Sequence, residues 1–173
     1  MKRKALEELE ARQMAAFLIR EGGVPETVAT MTGTPVHFAR RLASDYRCPV
    51  RFVRSETPFA RLWATRSRVL QTSLFGMCLH RLRWSHGEPM RMASIVDALG
   101  LFKMLCRPTI GYRRESFSAH EAMLFYDVYV QGHVACVVCA RCHSAVWVMK
   151  DKAMRFCPNC RGSMRPVLQT SEG

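Results

Sequence analysis

The sequence predicts a mainly α-helical protein, with a helical body followed by a small C-terminal unit that contains four paired cysteines. Two observations lead to this fold class. Apolar residues recur at helical spacing through most of residues 1–132. After Gly132 the sequence changes to valine-rich segments, cysteine pairs and basic turns. We therefore expect a helical domain over residues 1–132, a small cysteine-rich unit over residues 133–168, and a short tail over residues 169–173.

The first predicted helix covers residues 3–21 and ends at Gly22-Gly23, where helices favour a left-handed residue. Its mostly apolar positions repeat every three or four residues, as expected for a stripe along one helix face. This stripe either packs in the core or supplies a surface for a partner protein. It comprises Leu6, Leu9, Gln13, Ala16 and Phe17.

Residues 24–47 have the pattern of a helix-turn-helix. A short helix from Pro25 to Met31 is followed by a tight turn at Thr32-Gly33, and Thr34-Pro35 opens a second helix. Helical spacing gives this second helix a packing face with Phe38, Ala39, Leu42 and Tyr46. The opposite face is polar and cationic, and it carries His37, Arg40, Arg41, Ser44 and Arg47. Such a helix either lies in the major groove of DNA or is a solvated surface helix.

Three further helices complete the predicted body. Thr57-Pro58 resembles a cap followed by proline at the first helical position, and apolar spacing continues from there to Met77. A second pattern runs from Met92 to Leu105 until Pro108. Ser118-Ala119-His120-Glu121 fits a capping box that begins a helix ending at Gly132.

The C-terminal unit carries the strongest chemical signal in the sequence. Cys139 and Cys142 form one Cys-x-x-Cys pair, and Cys157 and Cys160 form a second pair after a gap of 14 residues. Two such turns can point four thiolates at one tetrahedral Zn²⁺, and the segment between them alternates as in short strands. We expect a zinc-ribbon-like hairpin. Cys136, which is spaced equally well from Cys139, and His143 remain alternative ligands.

Four thiolates saturate a zinc ion, so the predicted metal is structural, one ion per chain, with no open position for a reacting water. The sequence contains no Gly-x-Ser-x-Gly, phosphate-binding loop or dinucleotide fingerprint. We therefore expect no enzymatic activity and no catalytic residues. The scattered Cys48, Cys78 and Cys106 lie in apolar stretches and are expected to be small core residues.

The charge of the chain indicates a polyanionic partner or an acidic protein surface. Lys and Arg number 26 against 14 Asp and Glu, which gives a formal charge of +12. The longest apolar run has seven residues, Val134 to Ala140, too few to span a bilayer, and Glu7, Glu8 and Glu10 exclude the apolar core of a secretion signal. The sequence thus predicts a protein without membrane contact that stays in the cytoplasm, or in the nucleus if its host has one.

The positive charge is concentrated in two segments. Residues 36–68 carry a net +6, and residues 136–166 carry six Lys or Arg against the single acid Asp151. Basic side chains on a rigid scaffold are suited to contact phosphates, although surface charge also serves solubility. The candidate DNA-binding residues are Arg40, Arg41, Ser44, Arg47, Lys150, Lys152, Arg155 and Arg161.

The order of these features resembles the C subunit (FlhC) of the bacterial flagellar master transcriptional activator, across roughly residues 12–166. The resemblance is carried by the motifs at both ends of the helical body and by the placement of the cysteines after it. These are Arg12-Gln13-Met14-Ala15 before the Thr34 to Tyr46 helix, Thr57-Pro58-Phe59 with Leu62-Trp63, and Asp127-Val128-Tyr129-Val130 before the four cysteines.

This resemblance implies a mainly helical, zinc-containing protein that assembles with an FlhD-like partner subunit. It implies that the complex binds double-stranded promoter DNA and recruits RNA polymerase to flagellar operons. The metal role transfers onto Cys139, Cys142, Cys157 and Cys160, and the DNA role transfers only to the basic surfaces as a whole. The alternative function is an adaptor whose zinc unit binds an acidic protein without touching DNA.

Overall fold

The computed structural model describes residues 2–47, 58–86, 92–106, 117–152 and 154–166, and it has the predicted fold class. In these described residues, six α-helices precede a small antiparallel sheet with strand order β2-β1-β3. The elements are α1 (Lys2–Arg20), α2 (Pro25–Thr32), α3 (Val36–Asp45), a 3₁₀ helix (Pro58–Trp63), α4 (Arg66–His86), α5 (Met92–Cys106), α6 (Ala119–Val130), β1 (Val134–Cys139), β2 (Ala145–Met149) and β3 (Met164–Pro166).

Helix α1 forms as expected, but a different part of it packs. Leu6 and Leu9 are 56% and 52% exposed, and the whole segment 3–10 lies in solvent. The buried face belongs to the second half of the helix, where Ala15, Leu18 and Ile19 are inaccessible. Of the two roles open to the stripe, Leu6 and Leu9 do not have the first, core packing, because only the C-terminal half of α1 reaches α2, α3 and the body.

Helices α2 and α3 form the predicted helix-turn-helix, with Gly33 at φ +69° between them. Ala39 and Ala43 are buried, and Phe38 and Leu42 pack against the core. Tyr46 was placed on the packing face by spacing alone, and this is wrong. It follows the end of α3 and is 46% exposed, because the chain leaves the helical path there.

The long helix predicted from Thr57-Pro58 is in fact two elements, and Thr57 itself lies outside the described residues. A 3₁₀ helix ends at Trp63, and α4 begins at Arg66. Thr65 explains the break, because its hydroxyl accepts a hydrogen bond from the Arg68 N–H at 3.2 Å and so acts as the helix cap. The apolar pattern in the sequence continues across Thr65, so the pattern does not reveal that one helix ends and another begins there.

Helix α5 matches its prediction, with Ile95, Leu99 and Phe102 buried; Pro108, its predicted stop, lies outside the described residues. Cys78 is buried on α4 and Cys106 packs against the core, as expected, whereas Cys48 is also outside the described residues. Within the described ranges, no helix is both long enough and apolar enough to cross a membrane.

The capping box of α6 is present, with the Ser118 hydroxyl and the Glu121 carboxylate each bonded to the other's backbone N–H. Glu121 is nearly inaccessible, yet Arg68 Nη1 lies 2.8 Å and Arg61 Nε 3.5 Å from its Oε1. One carboxylate therefore caps α6 and also neutralises cations from α4 and the 3₁₀ helix. This ion pair joins three elements that are distant in the sequence.

The sheet packs on the helical body through Trp147 of β2. Its ring stacks edge-on against Phe125 and Tyr129 of α6, at centroid distances of 6.2 and 5.2 Å. The backbone N–H of Trp147 donates to Ser73 Oγ at 3.1 Å, and the indole Nε1–H of Trp63 donates to the Trp147 carbonyl at 2.8 Å. The helical body thus holds both the side chain and the backbone of one strand residue.

Gly76 of α4 leaves room for this indole, which gives a first prediction. A Cβ at position 76 would lie 2.5 Å from Trp147 Cδ1 and 2.8 Å from Phe125 Cζ, both in packed rings. Gly76→Ala should lower the free energy of unfolding by about 1–3 kcal/mol, measured by urea denaturation, because the core becomes overpacked. Gly100→Ala on α5 is the matched control, since its Cβ meets open space and should stabilise by about 0.5–1 kcal/mol. Equal stability of the two variants would contradict this packing.

Candidate metal centre and cationic surfaces

Two similar backbone turns position the four predicted cysteines. Cys139 ends β1, and the His143 N–H donates back to the Cys139 carbonyl at 3.0 Å. The second turn repeats this, with the Arg161 N–H donating to the Cys157 carbonyl at 2.9 Å. His143 (φ +55°) and Arg161 (φ +61°) both adopt a left-handed conformation directly after the second cysteine of their pair. Each Cys-x-x-Cys segment therefore closes into the same compact loop.

The two loops face each other and bring the four sulfurs together. Cys139 Sγ lies 3.5 Å from Cys160 Sγ, and Cys142 Sγ lies 3.6 Å from Cys157 Sγ. All four sulfurs are within 4.8 Å of one another. Thiolates bound at about 2.3 Å to one tetrahedral ion are separated by about 3.8 Å. The cluster therefore has the dimensions needed to hold a single metal ion.

Backbone N–H groups point at the sulfurs, as expected around thiolate ligands. Arg141 N–H donates to Cys139 Sγ, and Asn159 N–H donates to Cys157 Sγ, both at 3.3 Å. Gly162 N–H donates to Cys160 Sγ at 3.4 Å. A Cβ at Gly162 would lie 2.7 Å from Arg141 Cβ and 3.2 Å from Cys139 Sγ. Glycine at this position lets the second loop approach the first closely enough to complete the cluster.

The electrostatics of the cluster differ from one sulfur to the next. Hydrogen bonds from the side chain and backbone of Ser144 lower the pKa of the Cys142 thiol to about 6. The Cys142 N–H likewise lowers the pKa of Cys139. At Cys160 the Gly162 N–H acts in the same direction, but burial and the three neighbouring sulfurs raise its pKa to about 11. Four thiolates at this spacing would repel one another, so all four can be charged together only with a cation between them.

The structure separates the two alternative ligands from the cluster. Cys136 pairs with Trp147 across the β1–β2 ladder, and its half-buried side chain packs against the helical core. Burial there raises the pKa of its thiol. His143 is exposed at the loop corner. Among the described residues, the metal-binding group has Cys139, Cys142, Cys157 and Cys160 as its members.

Helix α3 exposes the cationic face that its sequence predicts. His37, Arg40, Arg41, Ser44 and Arg47 are all exposed, although Arg47 (φ +47°) lies past the helix end. Arg40 approaches Glu26 Oε1 of α2 at 2.9 Å through both Nε and Nη2. This contact lowers the pKa of Glu26, together with a backbone hydrogen bond that contributes more. Arg41 is 83% exposed, and its Nε lies 3.9 Å from Asp45 Oδ2, near the upper limit for an ion pair. This surface pair is therefore weak.

The four-cysteine unit, residues 133–166, carries the second cationic surface. Lys150 and Lys152 lie in the exposed turn after β2, whose backbone is fixed by the Lys152 N–H bonding the Met149 carbonyl at 3.0 Å. Arg155 is exposed in the segment leading to the second cysteine loop, and Arg161 is exposed at its corner. Sequence reasoning therefore placed all eight candidate DNA-binding residues on the surface, but the two groups belong to separate elements.

Some residues that support the site escaped the sequence analysis. Arg66 at the start of α4 donates to the Asn159 carbonyl at 2.9 Å and so ties the second cysteine loop to the body. Ser73 and Gly76 seat Trp147. Their signal was weak because these contacts span 71 or more positions of sequence. Gly162 could have been found, because a glycine two positions after a cysteine pair suits a tight thiolate loop.

Comparison with protein-family models and with curated proteins finds no match for this chain.

Proposed function

We propose that this chain is a zinc-containing, non-enzymatic DNA-binding subunit of a heteromeric transcription activator. The observation that carries the proposal is the exposed row His37, Arg40, Arg41 and Ser44 on the second helix of a helix-turn-helix. Successive exposed positions i, i+3, i+4 and i+7 on such a helix fit the major groove. Arginines there can contact guanine edges or neutralise phosphates.

Zinc is the ion that best suits the cluster. Soft thiolates favour zinc or iron–sulfur chemistry over magnesium or calcium, and four sulfurs in tetrahedral arrangement leave no position for a reacting ligand. Bound there, Zn²⁺ supplies folding energy and fixes the two cysteine loops relative to each other. The chain's own residues then present Lys150, Lys152, Arg155 and Arg161 from a rigid scaffold.

The resemblance to FlhC supplies the biological setting of the proposal. In that setting the chain acts in the cytoplasm with an FlhD-like partner subunit, binds double-stranded promoter DNA of flagellar operons and contacts RNA polymerase. The exposed start of α1, with Leu6 and Leu9 in solvent, offers apolar surface that a partner subunit can cover.

Co-purification with an FlhD-like partner, followed by footprinting on a flagellar promoter, tests the proposal. We expect protection only when both proteins are present. If no DNA sequence is protected and the four-cysteine unit captures an acidic protein, the result would instead support the adaptor function. A steep negative slope of log affinity against log salt separates the two outcomes further, because only phosphate contacts release counterions from DNA.

Neutralising the face of α3 should weaken duplex binding. In the Arg40→Gln/Arg41→Gln variant we expect affinity to fall about tenfold or more, with the magnitude of the salt slope lower by about 1–2. Fluorescence anisotropy over a salt series measures both quantities. Arg3→Gln/Lys4→Gln is the matched control, because it removes two positive charges from an exposed helix outside this face. If both double variants lose the same affinity, the face has no special role.

A further inference from the structure

Phe156 differs from the other described phenylalanines because its side chain is exposed to solvent. Its exposed fraction is 68%. The seven other phenylalanines that the structure describes lie in the core or pack against it. A phenylalanine ring that stays mostly in water does not gain the stabilisation that burial normally gives this side chain. Among the described phenylalanines, Phe156 is therefore the one whose ring lies mostly in water, although other apolar side chains such as Met104 are equally exposed.

The backbone holds this ring outward. Phe156 pairs with Ser163 in an isolated antiparallel bridge. On one side the Cys157 N–H donates to the Gly162 carbonyl at 2.7 Å, and on the other the Met164 N–H donates to the Arg155 carbonyl at 3.2 Å. The next side chain, Cys157, is buried in the metal cluster. Because the neighbouring sulfur is committed to the cluster, the ring cannot turn inward without breaking the metal site.

The exposed residues beside Phe156 in the chain and in its hairpin are polar or cationic. Arg155, Ser163 and Arg161 on the same hairpin are all exposed, as are Lys150 and Lys152 in the preceding turn. Residues 136–166 contain one acid, Asp151, against six basic residues. A protein-docking surface is normally a contiguous apolar patch of several hundred Å². A single ring among cations is instead the arrangement that contacts nucleic acid, where phosphates meet the charges and bases meet the ring.

We propose that Phe156 is an aromatic wedge that enters the base stack of duplex DNA, with Arg155 and Arg161 on the flanking phosphates. Apolar side chains inserted between base steps unstack them and kink the duplex. This inference rests on the proposed DNA-binding function and adds a site to it on the four-cysteine unit. It also links the ring to the metal site, since Cys157, the residue that follows Phe156, is one of the four clustered cysteines.

The test compares Phe156→Ala with wild type, both zinc-loaded, full-length and with the FlhD-like partner. The probe is a mixed-sequence duplex of about three helical turns, with a fluorescent adenine analogue at flexible TA steps. Wild type should raise the analogue's fluorescence by unstacking it. Phe156→Ala should abolish this rise and lower affinity about tenfold, with an unchanged salt slope because the lost group is neutral.

Two further variants complete the design. Met104→Ala on α5 removes an equally exposed apolar side chain and should bind and unstack DNA like wild type. Phe156→Tyr keeps the ring and should retain most of the fluorescence rise. If wild type binds the duplex and Phe156→Ala unstacks it equally well, the wedge is wrong while the proposed function stands. If wild type does not bind DNA at all, both fail. If Phe156→Ala loses only the partner protein, Phe156 is a protein contact and the wedge is again wrong.

Discussion

Given the proposed zinc ion in the four-cysteine cluster, Cys139→Ser should abolish metal binding and unfold the four-cysteine unit, the largest effect expected from any single substitution. Cys139 Sγ accepts two backbone hydrogen bonds and lies 3.5 Å from Cys160 Sγ at the junction of the two loops. Removing one of four thiolates opens the coordination shell, and the binding energy of a structural zinc is folding energy. We expect zinc content to fall well below about one ion per chain, measured by elemental analysis of the purified protein.

Hydrogen exchange shows how far the loss spreads. Amides of residues 155–164 should lose at least about tenfold in protection, because the cluster is the main support of that segment beside β3, a single bridge and the hydrogen bond from Arg66 to the Asn159 carbonyl. Amides of α4 and α6 should keep their protection. Cys136→Ser is the matched control: the same change, three residues earlier on the same strand, should leave zinc content intact. Zinc loss in the control but not in Cys139→Ser would show that the ligand set is wrong.

Trp147→Ala should lower the free energy of unfolding by about 3–5 kcal/mol, the value typical of large aromatic truncations in a core. The ring is 4% exposed and contacts Phe125, Tyr129 and His80. Truncation leaves a cavity between these rings, and a packed core relaxes only partly around such a cavity. Urea denaturation followed by the fluorescence of the remaining tryptophans measures the change.

Phe156→Ala is the control for this prediction, since it truncates an aromatic side chain on the same unit that is mostly in solvent. It should change stability by no more than about 0.5 kcal/mol. The contrast matters because both residues belong to the four-cysteine unit, and of the two Trp147 is the one that packs against the helices. Similar stabilities for the two variants would mean that the unit is not anchored to the body through Trp147.

Local chemistry made several features predictable from sequence. The Ser118 capping box, the turn at Gly33 and the two cysteine pairs each depend on residues a few positions apart. Their physical requirements are met within one turn of chain, so their spacing is informative. The cationic face of α3 was predictable for the same reason, because helical periodicity alone decides which side chains share a face.

Features set by distant contacts were not predictable in this way. Leu6 and Leu9 fit a packing stripe, but whether a stripe is covered depends on where the rest of the chain lies. Thr65 interrupts a continuous apolar pattern because its side chain competes for the backbone of α4. The position of Trp147 depends on the hydrogen bond to Ser73 and on the space left by Gly76, and only the tertiary fold brings these residues close to it. Phe156 lies in a segment that alternates as short strands do, and this alternation does not determine whether its ring is buried or exposed.

One measurement addresses most directly the central claim that a metal-fixed cationic surface binds DNA. It is the salt dependence of duplex binding by the zinc-loaded complex, compared with the same complex after chelation. If the metal holds Arg155, Arg161 and their neighbours against phosphates, chelation should weaken binding and reduce the slope by at least about 1, roughly one lost phosphate contact. An identical affinity and slope with and without zinc, while hydrogen exchange shows residues 155–164 unfolded, would contradict the claim.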